Sequence, residues 1–271
     1  MNVSKYLAVA AVAAGIVGSA FAEEEGPSVG AYAYSTLKNG YLSNGYVFYD
    51  DAVLQSGAGV TFAGFDLNVW SSYGVGSSYD RKHFGSCSAS EVDYELDYYG
   101  DFEDFDYMLG VASWTYPCTD DTFDEWVGKI AVGYNAWVVR PELNARFGLE
   151  SQQGCYSQFK LSKSFTLTED EKLSLSVYGL VAYASKSYRA GKGVKDAETG
   201  TWKHKNVDKA GFVDTEFGAE LGYAVSENFS VNCGCQLSAI IDSDLRDYCD
   251  DKQADGDKEH FMYYAGISLG F

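Results

Sequence analysis

Apolar and polar residues alternate with a period of two along most of this chain. In Glu91–Gly100, the acids Glu91, Asp93, Glu95 and Asp97 alternate with Val92, Tyr94, Leu96 and Tyr98. Successive side chains of a strand point to opposite faces, so this segment predicts one face that takes water and one that rejects it. The same reading applies elsewhere. Phe65, Leu67, Val69, Tyr73 and Val75 oppose Asp66, Asn68 and Trp70, and Leu173, Leu175, Val177, Val181 and Tyr183 oppose Lys172, Ser174 and Ser176. Leu143, Ala145, Phe147 and Leu149 oppose Glu142, Asn144, Arg146 and Glu150. Val213, Phe217, Leu221, Tyr223 and Val225 oppose Asp214, Glu216 and Glu220. No helical periodicity persists over an 11-residue window.

Twelve such segments follow one another: 28–48, 53–62, 65–75, 90–101, 104–116, 124–137, 139–150, 155–167, 171–187, 211–226, 229–242 and 259–271. The first is the least regular, as if a bulge divided its two aromatic halves. Tight connections such as "FAGFD", "DFEDFD" and "SENFS" alternate with longer ones at 76–89, 117–123, 151–154, 188–210 and 243–258, and a brief link at 49–52 breaks the alternation. A soluble sandwich has no reason to place its long loops on every second connection. A transmembrane barrel does, with short turns on one side and long loops on the other. The expected fold is therefore all-β: a transmembrane antiparallel up-and-down β-barrel of about twelve strands.

The ends of the chain extend this picture. Lys5, the apolar run Tyr6–Val17 and the small-x-small site Ala20-Phe21-Ala22 predict a signal peptide over 1–22, cleaved near Ala22, with the barrel over 23–271. No later stretch reaches the ~20 apolar residues of a spanning helix. The chain ends "FMYYAGISLGF" in mid-alternation, which resembles the terminal strand of bacterial outer-membrane barrels. Assembly machinery reads an aromatic, a Gly and two spaced apolar residues there, and Tyr264, Gly266, Leu269 and Phe271 occupy those places.

Composition changes little except through charge. The chain has 271 residues, 3 Pro, 29 Gly and 22 Tyr, with a formal net charge of −19. That acidity argues against nucleic acid as a partner. The expected partners are outer-membrane lipid, the barrel assembly machinery, and small solutes or cations.

The inward set is then Glu91, Asp93, Glu95, Asp97, Asp106, Glu142, Asp214, Glu216 and Glu220, with Lys129, Arg146 and Lys160 among them. Acidic rings attract cations, so this set predicts a hydrated, cation-leaning channel. The alternative is a lumen filled by salt-bridged side chains in a non-conducting surface barrel, an adhesin or a structural protein. Aromatics near strand ends, such as Tyr98, Trp126, Tyr134 and Tyr223, are expected to anchor the barrel at the interfaces.

Residues 29–117 carry a family resemblance. "STLKNGYLSNGY" repeats an aromatic–Asn-Gly element, and "FDLNVWSS", "EVDYELDYYG" and a strand closing in "WTYP" follow. Together they resemble the TorF-type porins of Gram-negative bacteria. Lys38-Asn39-Gly40 or Ser43-Asn44-Gly45 stands where that family often has an aromatic-Arg-Gly step. The resemblance implies an outer-membrane pore.

Other chemistry is sparse. Cys87, Cys118, Cys155 and Cys249 fall on long connections or strand ends, as candidates for two disulfides in an oxidising compartment, with Cys87–Cys118 the first choice. Cys233 and Cys235 fall on an apolar face and are read as small fillers rather than metal ligands. The acidic stretch 243–260 lacks calcium-loop spacing. His83, His204 and His260 are the three histidines, and Ser243 and Asp244 precede His260. They leave an outer-membrane hydrolase as the least favoured alternative, but no G-x-S-x-G element accompanies them, so no enzyme, cofactor or metal is expected.

Overall fold

The computed structural model describes residues 29–49, 51–75, 89–117, 125–150, 154–191, 194–195, 202–203, 209–246 and 259–271. Residues 1–28, on which the expected signal peptide falls, and Cys87, Cys118, Cys249, His83, His204 and most of 243–258 lie outside the described residues.

The chain forms a closed antiparallel barrel of twelve strands. The wall comprises β1 (Val29–Lys38), β4 (Val53–Phe62), β5 (Phe65–Gly74), β6 (Ala89–Phe102), β7 (Phe105–Thr115), β8 (Glu125–Tyr134), β9 (Arg140–Gly148), β10 (Gly154–Thr166), β11 (Leu173–Ala184), β14 (Gly211–Ala224), β15 (Phe229–Ile240) and β16 (Glu259–Gly270). Each strand pairs with the next, and β16 closes on β1 with Lys38 opposite Tyr264 and Tyr32 opposite Gly270. Closure leaves no edge, so every wall strand has a partner on both sides.

The alternation resolves into two faces. Leu67, Val69, Tyr94, Leu96, Leu109, Ile130, Leu143, Phe159, Phe217 and Phe261 are exposed on the outside. Asp66, Glu91, Asp93, Asp97, Asp106, Lys160, Asp214 and His260 are buried on the inside. A closed sheet whose outside is apolar and whose inside carries charge is inverted relative to a soluble protein, which is what a lipid surround requires. Paired rings collect at the short-turn end: Phe65 with Tyr98 and Phe105 with Tyr134, each at 4.9 Å, and Tyr134 with Trp137 at 5.6 Å. Tyr183 and Phe212 stack edge-on at 5.4 Å at the opposite end.

Two expectations need correction. The first segment is not one strand. β1 stops at Lys38, and β2 (Tyr41–Ser43) and β3 (Tyr46–Tyr49) form a separate hairpin. Asn44 (φ 54°) and Gly45 (φ 78°) both sit in the left-handed region, which the mirror-image two-residue hairpin turn demands and Asn-Gly supplies at little cost. The link from β1 to β4 is thus long, which removes 49–52 as an exception, but the five-residue link from β9 (ending at Gly148) to β10 (starting at Gly154) is no longer than the turns at the other end, so the short–long alternation is not strict. The second correction concerns Val213. A bulge in β14 shifts the register between Val181 and Tyr183, so Val213 is buried inside beside Asp214 and Phe212 takes the outward place.

α1 (Lys186–Gly191) and a helical turn at 243–246 follow β11 and β15, and β12 (Val194–Lys195) pairs with β13 (Trp202–Lys203) between β11 and β14. Tyr188 of α1 and Leu245 of that turn join Tyr156, Ala182, Ala184, Val213 and Ile240 in an apolar cluster inside the wall. The long-loop mouth is therefore partly capped from the β10–β15 side.

Candidate functional site: the barrel interior

The interior is built from strand parity and from two accommodations of side-chain size. Four inward tyrosines lie along the wall. Tyr32, Tyr34, Tyr178 and Tyr264 each face a glycine directly across the ladder: Gly59, Gly57, Gly218 and Gly234. A Cβ at Gly59 or Gly57 would come within 2.6 Å of the tyrosine ring, so the rings lie along the wall in the space glycine leaves. Their hydroxyls then reach acids. Tyr32 donates to Asp66 (3.0 Å), Tyr264 to Glu220 (2.9 Å), and Tyr178 to Glu216.

The second accommodation is Gly110 on β7. Asp97 on β6 and Lys129 on β8 flank it in the pairing register. A Cβ there would lie 1.8 Å from Asp97 Oδ1 and 3.1 Å from Lys129 Cε. Its absence lets Lys129 span β7 and hold both Glu95 (3.0 Å) and Asp97 (2.9 Å). A second network lies near the short-turn end, where Arg140 binds Asp106 (2.7 Å) and Glu142, and Asn135 also donates to Asp106. Arg140 was not among the inward residues read from the sequence. Its place next to the turn hid its parity.

Counting around the ring, β14 is the sixth strand from β6 in either direction, and β9 the sixth from β1. The acids of β6 therefore look across the lumen at Asp214, Glu216 and Glu220 of β14. Lys129, Arg140, Arg146 and Lys160 occupy the arc β8–β10 between them, facing Lys38 on β1. Lys38 lies 5.5 Å over the ring of Tyr264, and Lys160 lies 5.6 Å over that of Tyr178.

The hairpin β2–β3 enters this interior. Tyr41 donates to Glu91 of β6 and packs its ring 5.8 Å from Trp70 of β5. At the tip, Asn44 accepts from Arg146 of β9 (2.7 Å) and donates to Tyr188 of α1 (3.1 Å). A Cβ on Gly45 would meet Asp214 Cβ at 2.8 Å. The hairpin thus leaves the wall beside β1 and touches the wall half a turn away. Sequence reasoning missed it, although Ser43-Asn44-Gly45-Tyr46 is a strong short-range hairpin signal.

The remaining candidates are placed as follows. Tyr264 and Gly266 point inward on β16, and Leu269 and Phe271 point outward. Cys233 and Cys235 point outward on β15, and Cys155 stands at the start of β10; all three are free. His260 is buried on β16 opposite Ser238 and makes no hydrogen bond to Ser243. Among the described residues no group of His, Cys, Asp or Glu is placed to hold a metal ion.

No protein-family model matches the sequence, and no curated protein matches it either. Solved structures do. The NanC porin matches with a TM-score of 0.48 at 10% identity, over 88% of this chain and 98% of that one. The KdgM porin matches with a TM-score of 0.48 at 10% identity, over 89% and 99%. An outer-membrane channel from Pseudomonas putida matches with a TM-score of 0.47 at 11% identity, over 92% and 97%.

Proposed function

We propose that the protein is an outer-membrane porin-like channel for small hydrophilic solutes, with a preference for cations. The observation that carries this reading is the interior. Rows of carboxylates stand on opposite walls, and Tyr32, Tyr34, Tyr178 and Tyr264 lie along the wall over glycines. Acid rows concentrate cations in a water-filled passage. The motifs of residues 29–117 support membership of the TorF-type porins. The strand-final residues Tyr264, Gly266, Leu269 and Phe271 support delivery by barrel assembly machinery.

One observation favours a second reading. The β2–β3 hairpin crosses the lumen, and a barrel so obstructed is a non-conducting surface protein. The two are separated by refolding the protein into a planar bilayer under a salt gradient. Steady openings with a cation-selective reversal potential are expected. A folded, heat-modifiable barrel that carries no current overturns the channel.

A further inference from the structure

The four acids of β6 differ in one respect. Glu91 accepts from Tyr41 and from Tyr116 (3.2 Å), and Glu95 and Asp97 share Lys129. Asp93 has no hydrogen bond or ion pair, although it is only 8% exposed, and its Oδ1 is wholly buried without a partner. A buried carboxylate without a direct partner is costly, and a cation brought into contact with it would offset that cost.

The surroundings specify which cation. Asp93 stands directly across the ladder from Trp70 of β5 on one side and from Trp114 of β7 on the other. All three side chains point inward, one layer below the Tyr41–Glu91–Tyr116 contacts at the mouth. Tyr41 stands 5.8 Å from Trp70 at an interplanar angle of 57°, so the two rings form adjoining walls beside the carboxylate. Trp114 already carries a cation on its face, the Arg146 guanidinium at 5.8 Å. A small metal ion would need three or four converging oxygens, which this layer lacks. A carboxylate among aromatic faces suits a bulky, weakly hydrated organic cation, whose alkyl groups pack on the rings while its charge meets both the carboxylate and the ring quadrupoles.

We infer that Asp93, Trp70 and Tyr41 form a binding site for solutes with an alkylammonium head, beside the Trp114 face that Arg146 already occupies. This deepens the channel reading, because solute must reach the lumen, but it is tested without current. The refolded barrel in detergent micelles is titrated with choline at constant ionic strength, followed by tryptophan fluorescence and calorimetry. The neutral isostere 3,3-dimethylbutan-1-ol is titrated in parallel. Saturable choline binding is expected, with at least tenfold weaker binding in Asp93→Asn and in Trp70→Leu and none for the neutral isostere. Asp170→Asn, on the exposed turn after β10, should change affinity less than threefold. Absence of saturable choline binding, equal binding of the isostere, or unchanged affinity in a folded Asp93→Asn barrel overturns the site. If Asp93→Asn does not fold, unchanged affinity in Trp70→Leu overturns it. A barrel that binds choline but passes no current would refute the channel and leave this site standing.

Discussion

Gly110→Ala isolates the bridge across β7. Replacing glycine by alanine inside a strand ordinarily stabilises it by about 0.5–1 kcal/mol, because the unfolded chain loses freedom. Here the sign should reverse. The new Cβ would lie 1.8 Å from Asp97 Oδ1 and 2.9 Å from its Cγ, so the carboxylate must swing away from Lys129. That breaks the 2.9 Å contact and leaves the 3.0 Å contact of Lys129 with Glu95 intact. A hydrogen bond to a charged group contributes about 1.5–3 kcal/mol. After the ordinary glycine effect is offset, the net loss should be about 1–2 kcal/mol. The control lies on the neighbouring strand. Gly128 faces outward, and a Cβ there meets only Leu149 Cδ2 at 3.9 Å, so Gly128→Ala should be neutral or stabilising. Lys129→Met removes both contacts, and its combination with Gly110→Ala should cost less than the sum of the single changes. Denaturant unfolding of the refolded barrel in lipid, followed by tryptophan fluorescence, measures each difference. A Gly110→Ala barrel as stable as wild type, or more stable, would refute the account of the bridge.

Further outcomes follow from other parts of the wall. Glu95→Lys should move the reversal potential towards anions, and an unchanged potential would remove the β6 acids from the permeation path. Asn44→Ala combined with Arg146→Ala frees the hairpin tip at one end, and Gly45→Ala pushes it off Asp214, so both should raise single-channel conductance; equal conductance would mean that the hairpin does not obstruct flow. In the turn after β10, the Thr168 hydroxyl, followed by the backbone N–H of Lys172, holds the Asp170 carboxyl below its ordinary range. A lowered folded-state value means that its stabilising contribution is present above the ordinary carboxylate range and is lost only as pH falls through the lowered one. An NMR titration of Asp170 should therefore give a midpoint below that of an unfolded peptide, and Thr168→Val should narrow the difference, with the Lys172 N–H contact left in place.

The class of fold and the sorting of residues to two faces are legible in the chain alone. Strand parity is local, so Glu91 and Tyr94 part company whatever the rest of the chain does. The long and short connections and the even strand number are likewise written along the chain. Local pattern does not say where a polar face meets another polar face. That Gly110 opens a path from Lys129 to Asp97, that Tyr32 lies over Gly59 to reach Asp66, and that Asp93 stands unpaired between two tryptophans are consequences of register between strands. Across the long connections and at the β1–β16 seam, register is set only when the sheet closes. The bulge that turned Val213 inward and the hairpin that sent Asn44 to Arg146 had local signals. Their effects are not local, because a wall must curve into a ring before a segment beside β1 can touch β9.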